Sequence, residues 1–262
     1  MRCSPLNAAL ALHRRIKLNP KSHTLFHFTK NKEVLKVILK GGFWPRYCPE
    51  DVSWLSYPGF DFVAYPMVCF CDIPLSRIQD HVKFYGNFGI GLTREWALQN
   101  NATPVHYISK SNTLIEIYKK LNNFSSHLED SNKKDFRKSL RYLLAHSKPT
   151  VGQMVVNGDL VEKEFYQESE WRCAPQSDEI EDHLSKSKFE DAEILELFNE
   201  ATLQHCKLEF TPKDIKYIFV KNDSDIPDLI SFMQSDLGHF PYADIQILMS
   251  KVISLESISV DL

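Results

Sequence analysis

Residues 66–93 read PMVCFCDIPLSRIQDHVKFYGNFGIGLT. Met67–Cys71 is an apolar run with the length of a buried strand. Asp72 and Pro74 then supply a helix start, Leu75, Ile78, Val82 and Tyr85 recur at helical spacing, and Gly86 supplies the stop. Phe88–Thr93 returns to a strand pattern, with Gly89 and Gly91 where something must pack closely. Strand, helix and strand in such short order predict an α+β chain.

The flanking segments extend that reading. Residues 24–29, TLFHFT, form a short strand carrying His27 and Thr29. Asn31 is placed to cap a helix in which Val34, Leu35, Ile38 and Leu39 share a face, and Gly41-Gly42 ends it. Residues 44–61, rich in Pro, Trp and Tyr, read as a long ordered loop. Beyond Thr93 come a short helix at Arg94–Gln99 and a strand at Val105–Ile108. A helical insertion spans 111–146, capped by Ser111 and split near Asn122–Ser126, with Leu114, Ile117, Tyr118 and Leu121 facing the body. Val151–Val156 and Lys163–Cys173 read as strands, with an Asn157-Gly158 turn after the first. Residues 176–189 are acidic and polar, a surface segment or a weak helix, and Ile194, Leu197, Phe198 and Ala201 mark a better helix. Thr211–Asp214 makes one turn, Ile215–Val220 a strand, and the tail from Ser224 is helical at first. The expected organisation is an N-terminal arm at 1–22 and one α+β domain at 23–262 that carries the insertion.

Composition narrows the function classes. The chain has 262 residues, 43% hydrophobic and 25% charged, enough apolar material for a large core. Its net charge of −3 builds no bulk field for nucleic acid, leaving only a local patch for such a partner. The apolar run Phe62–Cys71 falls short of the roughly 20 residues a membrane helix needs. Leu6–Leu12 is interrupted by Asn7 and reads as a surface helix or a loose arm, not an export signal, so a cytoplasmic location is expected. The six cysteines contain no C-x₂-C pair, so no structural metal is expected. G-x-S-x-G is absent, and Gly89-x-Gly91 lacks the third glycine of a dinucleotide fingerprint.

Three segments carry residues with chemical use. On a strand, His27 and Thr29 can donate to a ribose or an amide, although His27 alone reads more readily as a satisfied core histidine. Tyr85, with Phe70 and Phe88 near in sequence, suits a wall for a flat ring, or an ordinary core stripe. In Glu168-Ser-Glu-Trp-Arg172, strand alternation places Glu168, Glu170 and Arg172 on one face. Two carboxylates there repel unless Arg172 offsets them, which suits either a substrate-facing strand or an exposed edge.

The segments LFHFTKNKEVLKVIL (25–39), PMVCFCDIPLSRIQDHVKFYGNFGIGLTREWA (66–97), FYQESEWRCAP (165–175) and FTPKDIKYIFV (210–220) occur in order. Together they resemble the AbiGi family of abortive phage-infection proteins, the antitoxin-like member of a two-gene phage-resistance system. Gln167, Ser169 and Cys173 stand where that family's pattern is more charged or aromatic. The order of an H-x-T strand, a central aromatic motif and a late E-x-E strand is similar to the ADP-ribosyltransferase superfamily. That resemblance implies a split mixed or antiparallel sheet with flanking helices, and NAD as the bound dinucleotide. It implies that His27 and Thr29 hold the nicotinamide ribose, that Tyr85 stacks on nicotinamide beside Phe70, and that Arg172 belongs to the NAD-binding set. Glu170, with Glu168 as its neighbour, would bond the ribose and stabilise an oxocarbenium-like transition state. Three roles stay open at this point: transfer of ADP-ribose to a phage or host macromolecule, non-catalytic binding of a cognate toxin or phage protein, and a degenerate transferase scaffold.

Overall fold

The strands are β1 (Thr24–Thr29), β2 (Arg46–Asp51), β3 (Phe62–Cys71), β4 (Phe88–Thr93), β5 (Thr103–Pro104) and β6 (His106–Ile108). They continue with β7 (Ser147–Pro149), β8 (Val151–Val156), β9 (Asp159–Glu164), β10 (Glu170–Cys173), β11 (Ile215–Val220) and β12 (Val252–Ser254). The helices are α1 (Lys32–Gly41), α2 (Ile78–Tyr85), α3 (Arg94–Gln99), α4 (Thr113–Phe124) and α5 (Asp130–Ala145). After them come α6 (Lys186–Glu190), α7 (Ala192–His205), α8 (Ile226–Asp236), α9 (Tyr242–Met249) and α10 (Leu255–Asp261). The computed structural model describes residues 22–58, 60–109, 113–156 and 159–261, so most of the N-terminal arm, the Ser111 cap and the Asn157-Gly158 turn lie outside it.

One mixed sheet organises the chain, in the order β12-β11-β4-β1-β3-β10-β5, with β2 added to β3. Only β11 and β12 run parallel among these neighbours. The α+β expectation therefore holds. Where β1 meets β3 the ladder nearly stops: a single registered pair, Phe26↔Cys71, joins them, whereas β1 and β4 pair along their whole length. The sheet thus parts into two leaves along one seam.

Packing follows strand alternation. One face buries Leu25, Phe70, Ile90, Leu92 and Ile218 under α1, α3, α8 and α9. The opposite face buries Phe26, Phe28, Cys71 and Phe219 against Ile78 and Val82 of α2. Gly89 is required by this second face, because a Cβ there would lie 2.5 Å from the Phe28 ring. Gly86 ends α2 at φ +111°, with Thr29 at the end of β1 and the following Lys30 pressed against it.

Several expectations are corrected. Residues 44–61 are only in part a loop: Arg46–Asp51 pairs with Phe62–Met67 of a β3 twice as long as expected. Pro49 and Pro66 hid that pairing, and the structure accommodates Pro66 by sending the opposing Tyr47 N–H to Asn199 Oδ1 at 3.0 Å. The segment 163–173 is not one strand, because a 3₁₀ turn at Phe165–Glu168 interrupts it. In the insertion, Leu114 and Ile117 are exposed, and Tyr118 turns inward to meet Trp54 edge-on at 5.7 Å. Val34 of α1 and Leu197 of α7 are likewise exposed, and α7 buries Asn199 and Thr202 instead. No helix among the described residues is long and apolar enough to cross a membrane.

Candidate active site

A cleft of about 450 Å³ opens at the seam between β1 and β3. Its lining includes His27, Phe70, Tyr85, Glu168 and Glu170, five of the seven residues singled out from the sequence. The strands that bear His27, Phe70 and Glu170 are sheet neighbours. The other two lie elsewhere: Arg172 is fully buried beneath the floor, and Thr29 sits at the end of β1, where its hydroxyl accepts from the Asn31 N–H at 3.4 Å. The β8–β9 hairpin closes one side through Gln153 and Met154.

His27 bridges the seam. Its Nδ1–H donates to the Cys69 carbonyl at 2.9 Å, which leaves Nε2 as the acceptor of a neutral ring. Burial lowers its pKa and outweighs the opposing effect of that hydrogen bond, so the ring is uncharged at neutral pH. Phe43 and Phe70 fix its orientation, at centroid distances of 5.1 and 5.8 Å. The core-histidine reading and the cleft reading are therefore both partly right: the ring is wedged among aromatics and still borders the cleft.

Tyr85 occupies the last turn of α2, stacked on His81 at 4.4 Å with 25° between the rings. Burial pushes the Tyr85 hydroxyl up, and the nearby Glu168 pushes it further. His81 is lowered to about 4, chiefly by burial. The pair presents two neutral rings to the cleft, with the Tyr85 hydroxyl donating to Glu168 Oε1.

The two glutamates meet by a different route from strand alternation. Glu168 ends the 3₁₀ turn, Ser169 takes a left-handed conformation at φ +45°, and Glu170 begins β10. That reversal, held by the Ser169 carbonyl accepting from the Asp72 N–H at 3.0 Å, lets both carboxylates reach one cation. Lys148 Nζ lies 3.0 Å from Glu168 Oε2 and 2.8 Å from Glu170 Oε2. Lys163 Nζ lies 2.6 Å from Glu168 Oε1, and the Arg172 Nε lies 2.7 Å from Glu170 Oε1. Arg172 also donates to Glu50 Oε2 at 2.7 Å and to the Ala145 carbonyl at 2.6 Å. Three carboxylates thus face three cations.

Electrostatics follow from that neutrality. Burial acts to raise Glu170, but Arg172 and then Lys148 outweigh it and hold the group well below the usual carboxylate range. Glu168 also lies low: burial and Glu170 push it up, and Lys148 and Lys163 together prevail. Lys148 is pulled down by burial and raised further by Glu170, Glu50 and Glu168, ending well above its usual value. Both glutamates are therefore ionised at neutral pH within a largely water-excluded floor.

Sequence reasoning missed Lys148, Lys163, Glu50 and His81. Lys148 gave no signal, since it stands just past the insertion and reaches the floor only because β7 follows α5 and pairs with β6. His81 was visible as the residue one helical turn before Tyr85, the spacing at which two rings stack. No group of three or more His, Cys, Asp or Glu among the described residues is placed to hold a metal ion.

A family model described as "Putative abortive phage resistance protein AbiGi, antitoxin" matches residues 42–221, which contain every cleft residue named above except His27. The Abortive phage resistance protein AbiGi of Lactococcus lactis subsp. cremoris is 30% identical over 249 residues, covering 84% of this chain and 99% of that protein. No solved structure matches the chain. The chain therefore belongs to the AbiGi family of abortive phage resistance proteins.

Proposed function

We propose that this chain acts in phage defence as an ADP-ribosyltransferase, taking NAD into the cleft at the β1–β3 seam. The observation that carries this reading is the convergence of His27, Tyr85, Glu168 and Glu170, from three separate segments, on one cleft. A split sheet with those residues at its seam is the arrangement that the superfamily resemblance implies. The cleft offers a dinucleotide's reactive end the neutral, stacked Tyr85–His81 pair, with Glu168 and Glu170 beyond it.

The chemistry needs little more. A nucleophilic O, N or S atom of the target macromolecule bonds to C1′ of the nicotinamide ribose. The C1′–N1 bond breaks, its electron pair neutralises the pyridinium as nicotinamide leaves, and the nucleophile's proton passes to water. Positive charge develops at C1′ in such a displacement, and an ionised Glu170 stabilises it. Arg172 and Lys148 serve by holding Glu170 ionised and in place.

One observation favours a second reading. All four oxygens of Glu168 and Glu170 already have cationic partners, as in a purely structural ion network. The family description also carries the word antitoxin. On that reading the chain neutralises a cognate toxin through an exposed face and the cleft does no chemistry. Plating efficiency of phage on cells carrying wild type or Glu170→Gln separates the two. Loss of protection by a folded Glu170→Gln protein supports transfer, and full protection contradicts it.

A further inference from the structure

Glu170 opens β10 directly after the left-handed Ser169, so the placement of its carboxylate depends on how firmly that reversal is held. Backbone bonds hold it on two sides. The Asp72 N–H donates to the Ser169 carbonyl at 3.0 Å, and the Val105 N–H donates to the Glu170 carbonyl at 2.9 Å. The Glu170 N–H is held differently, by a side chain: it donates to the phenolic oxygen of Tyr107 at 2.8 Å. The register explains why. β5 pairs with β10 only as far as Trp171↔Pro104, so Glu170 lies one residue beyond the end of that ladder. Of the bonds on the reversal, the one to Tyr107 rests on a single hydroxyl.

Tyr107 also belongs to a larger grip. It lies in β6 and Lys148 in β7, the strands on either side of the insertion, and their parallel register sets Tyr107 opposite Lys148. One short β pair therefore supplies both the hydroxyl that holds the Glu170 backbone and an ammonium 2.8 Å from its carboxylate. Ala145, at the end of α5, accepts from Arg172 at 2.6 Å, and Arg172 in turn donates to Glu170. The base of the insertion thus bears on Glu170 through backbone, carboxylate and counter-ion together. The Tyr107 ring is set edge-on to Tyr166 at 5.4 Å, and burial raises its hydroxyl above the usual phenol range. The group is therefore a neutral hydroxyl at neutral pH, with its oxygen lone pairs available to the amide.

We propose that Tyr107 is a positioning residue for Glu170, fixing the backbone amide so that the carboxylate stands at the right distance from the reacting C1′. This assignment rests on the transfer reading above. Without the hydroxyl the Glu170 amide loses its partner and the reversal at Ser169 relaxes. A misplacement of about 1 Å can cost about 10²-fold in rate. The loss falls on turnover and not on NAD binding, because Tyr107 is not among the residues that line the cleft.

The test measures kcat and KM for NAD in label transfer to cell lysate, using the full chain as wild type, Tyr107→Phe and Met233→Ala, each below its melting temperature. Phenylalanine keeps the ring against Tyr166 and removes only the hydroxyl. Met233, fully buried on α8 and absent from the cleft lining, reports what lost stability alone does. In Tyr107→Phe, kcat should fall about tenfold or more while KM stays within about twofold of wild type. Met233→Ala should melt lower and keep both constants within about twofold. Equal kcat in wild type and Tyr107→Phe overturns the proposal and leaves the transfer reading standing. A matching fall in Met233→Ala overturns it too, because the loss then tracks stability. A raised KM at unchanged kcat overturns it by making the hydroxyl a binding group. Absence of transfer by wild type overturns the transfer reading itself, and this assignment with it.

Discussion

Arg172→Met is the sharpest probe of the ion network. The arginine is fully buried and donates to Glu170, to Glu50 and to the Ala145 carbonyl, at 2.6 to 3.3 Å. Methionine fills a similar length, so little cavity is created and the loss is mainly electrostatic. Removing one partner of a buried pair costs about 3–5 kcal/mol. Lys148 still reaches Glu170 at 2.8 Å, which places the expected cost near the lower end, about 3 kcal/mol. For a chain of this size that is a fall in Tm of roughly 6–12 °C. The pH dependence has a definite sign. Glu170 is depressed in the folded protein, so its contribution is present above its unfolded pKa of about 4.3 and is lost as pH falls through the folded value. Without Arg172, burial raises Glu170, and the gap between variant and wild type should narrow as pH drops below about 4. Denaturant melts by circular dichroism at pH 7 and in the acid range read both effects. A change under about 1 kcal/mol at pH 7, or a gap that widens in acid, would refute the reasoning.

Further outcomes follow from single contacts. Gly86→Ala, at φ +111° with backbone atoms of Thr29 and Lys30 in the way, should cost at least about 2 kcal/mol in the same melts. Ile117→Lys should be neutral to within about 0.5 kcal/mol, whereas Tyr118→Ala, half-buried against Trp54, should cost about 1–2 kcal/mol. Tyr85→Phe removes the hydrogen bond to Glu168 and should cost about 1 kcal/mol while keeping the ring stack on His81.

Much of the fold was legible where pattern and punctuation agree. The run from Met67 to Thr93 and the strand at 24–29 were read almost to the residue, because apolar spacing and the Gly86 stop leave little choice. Tertiary context hid the rest. Pro49 and Pro66 masked the β2–β3 pairing, in which the Tyr47 N–H, opposite Pro66, turns outward to Asn199 of α7. The insertion was read as helical, but two of its four expected inward positions, Leu114 and Ile117, are exposed, since they are as apolar as Tyr118 and Leu121, which are half-buried. At the site, Glu168 and Glu170 were found together for the wrong geometric reason. The left-handed Ser169 carries no sequence signature, and without it the alternation argument looked sufficient. Lys148 and Lys163 were out of reach, because only the return of the chain past the insertion brings them to the carboxylates.

The most direct measurement of the proposed chemistry is label transfer. NAD labelled in its adenylate half is incubated with the purified full chain and with lysate of phage-infected or uninfected cells, and macromolecular label is counted beside released nicotinamide. The account predicts transfer by wild type, with nicotinamide released in step, and a fall of about 10²–10³ in rate for Glu170→Gln protein that remains folded. Transfer that proceeds at the wild-type rate in Glu170→Gln, or no transfer from NAD to either lysate by wild type, would contradict it.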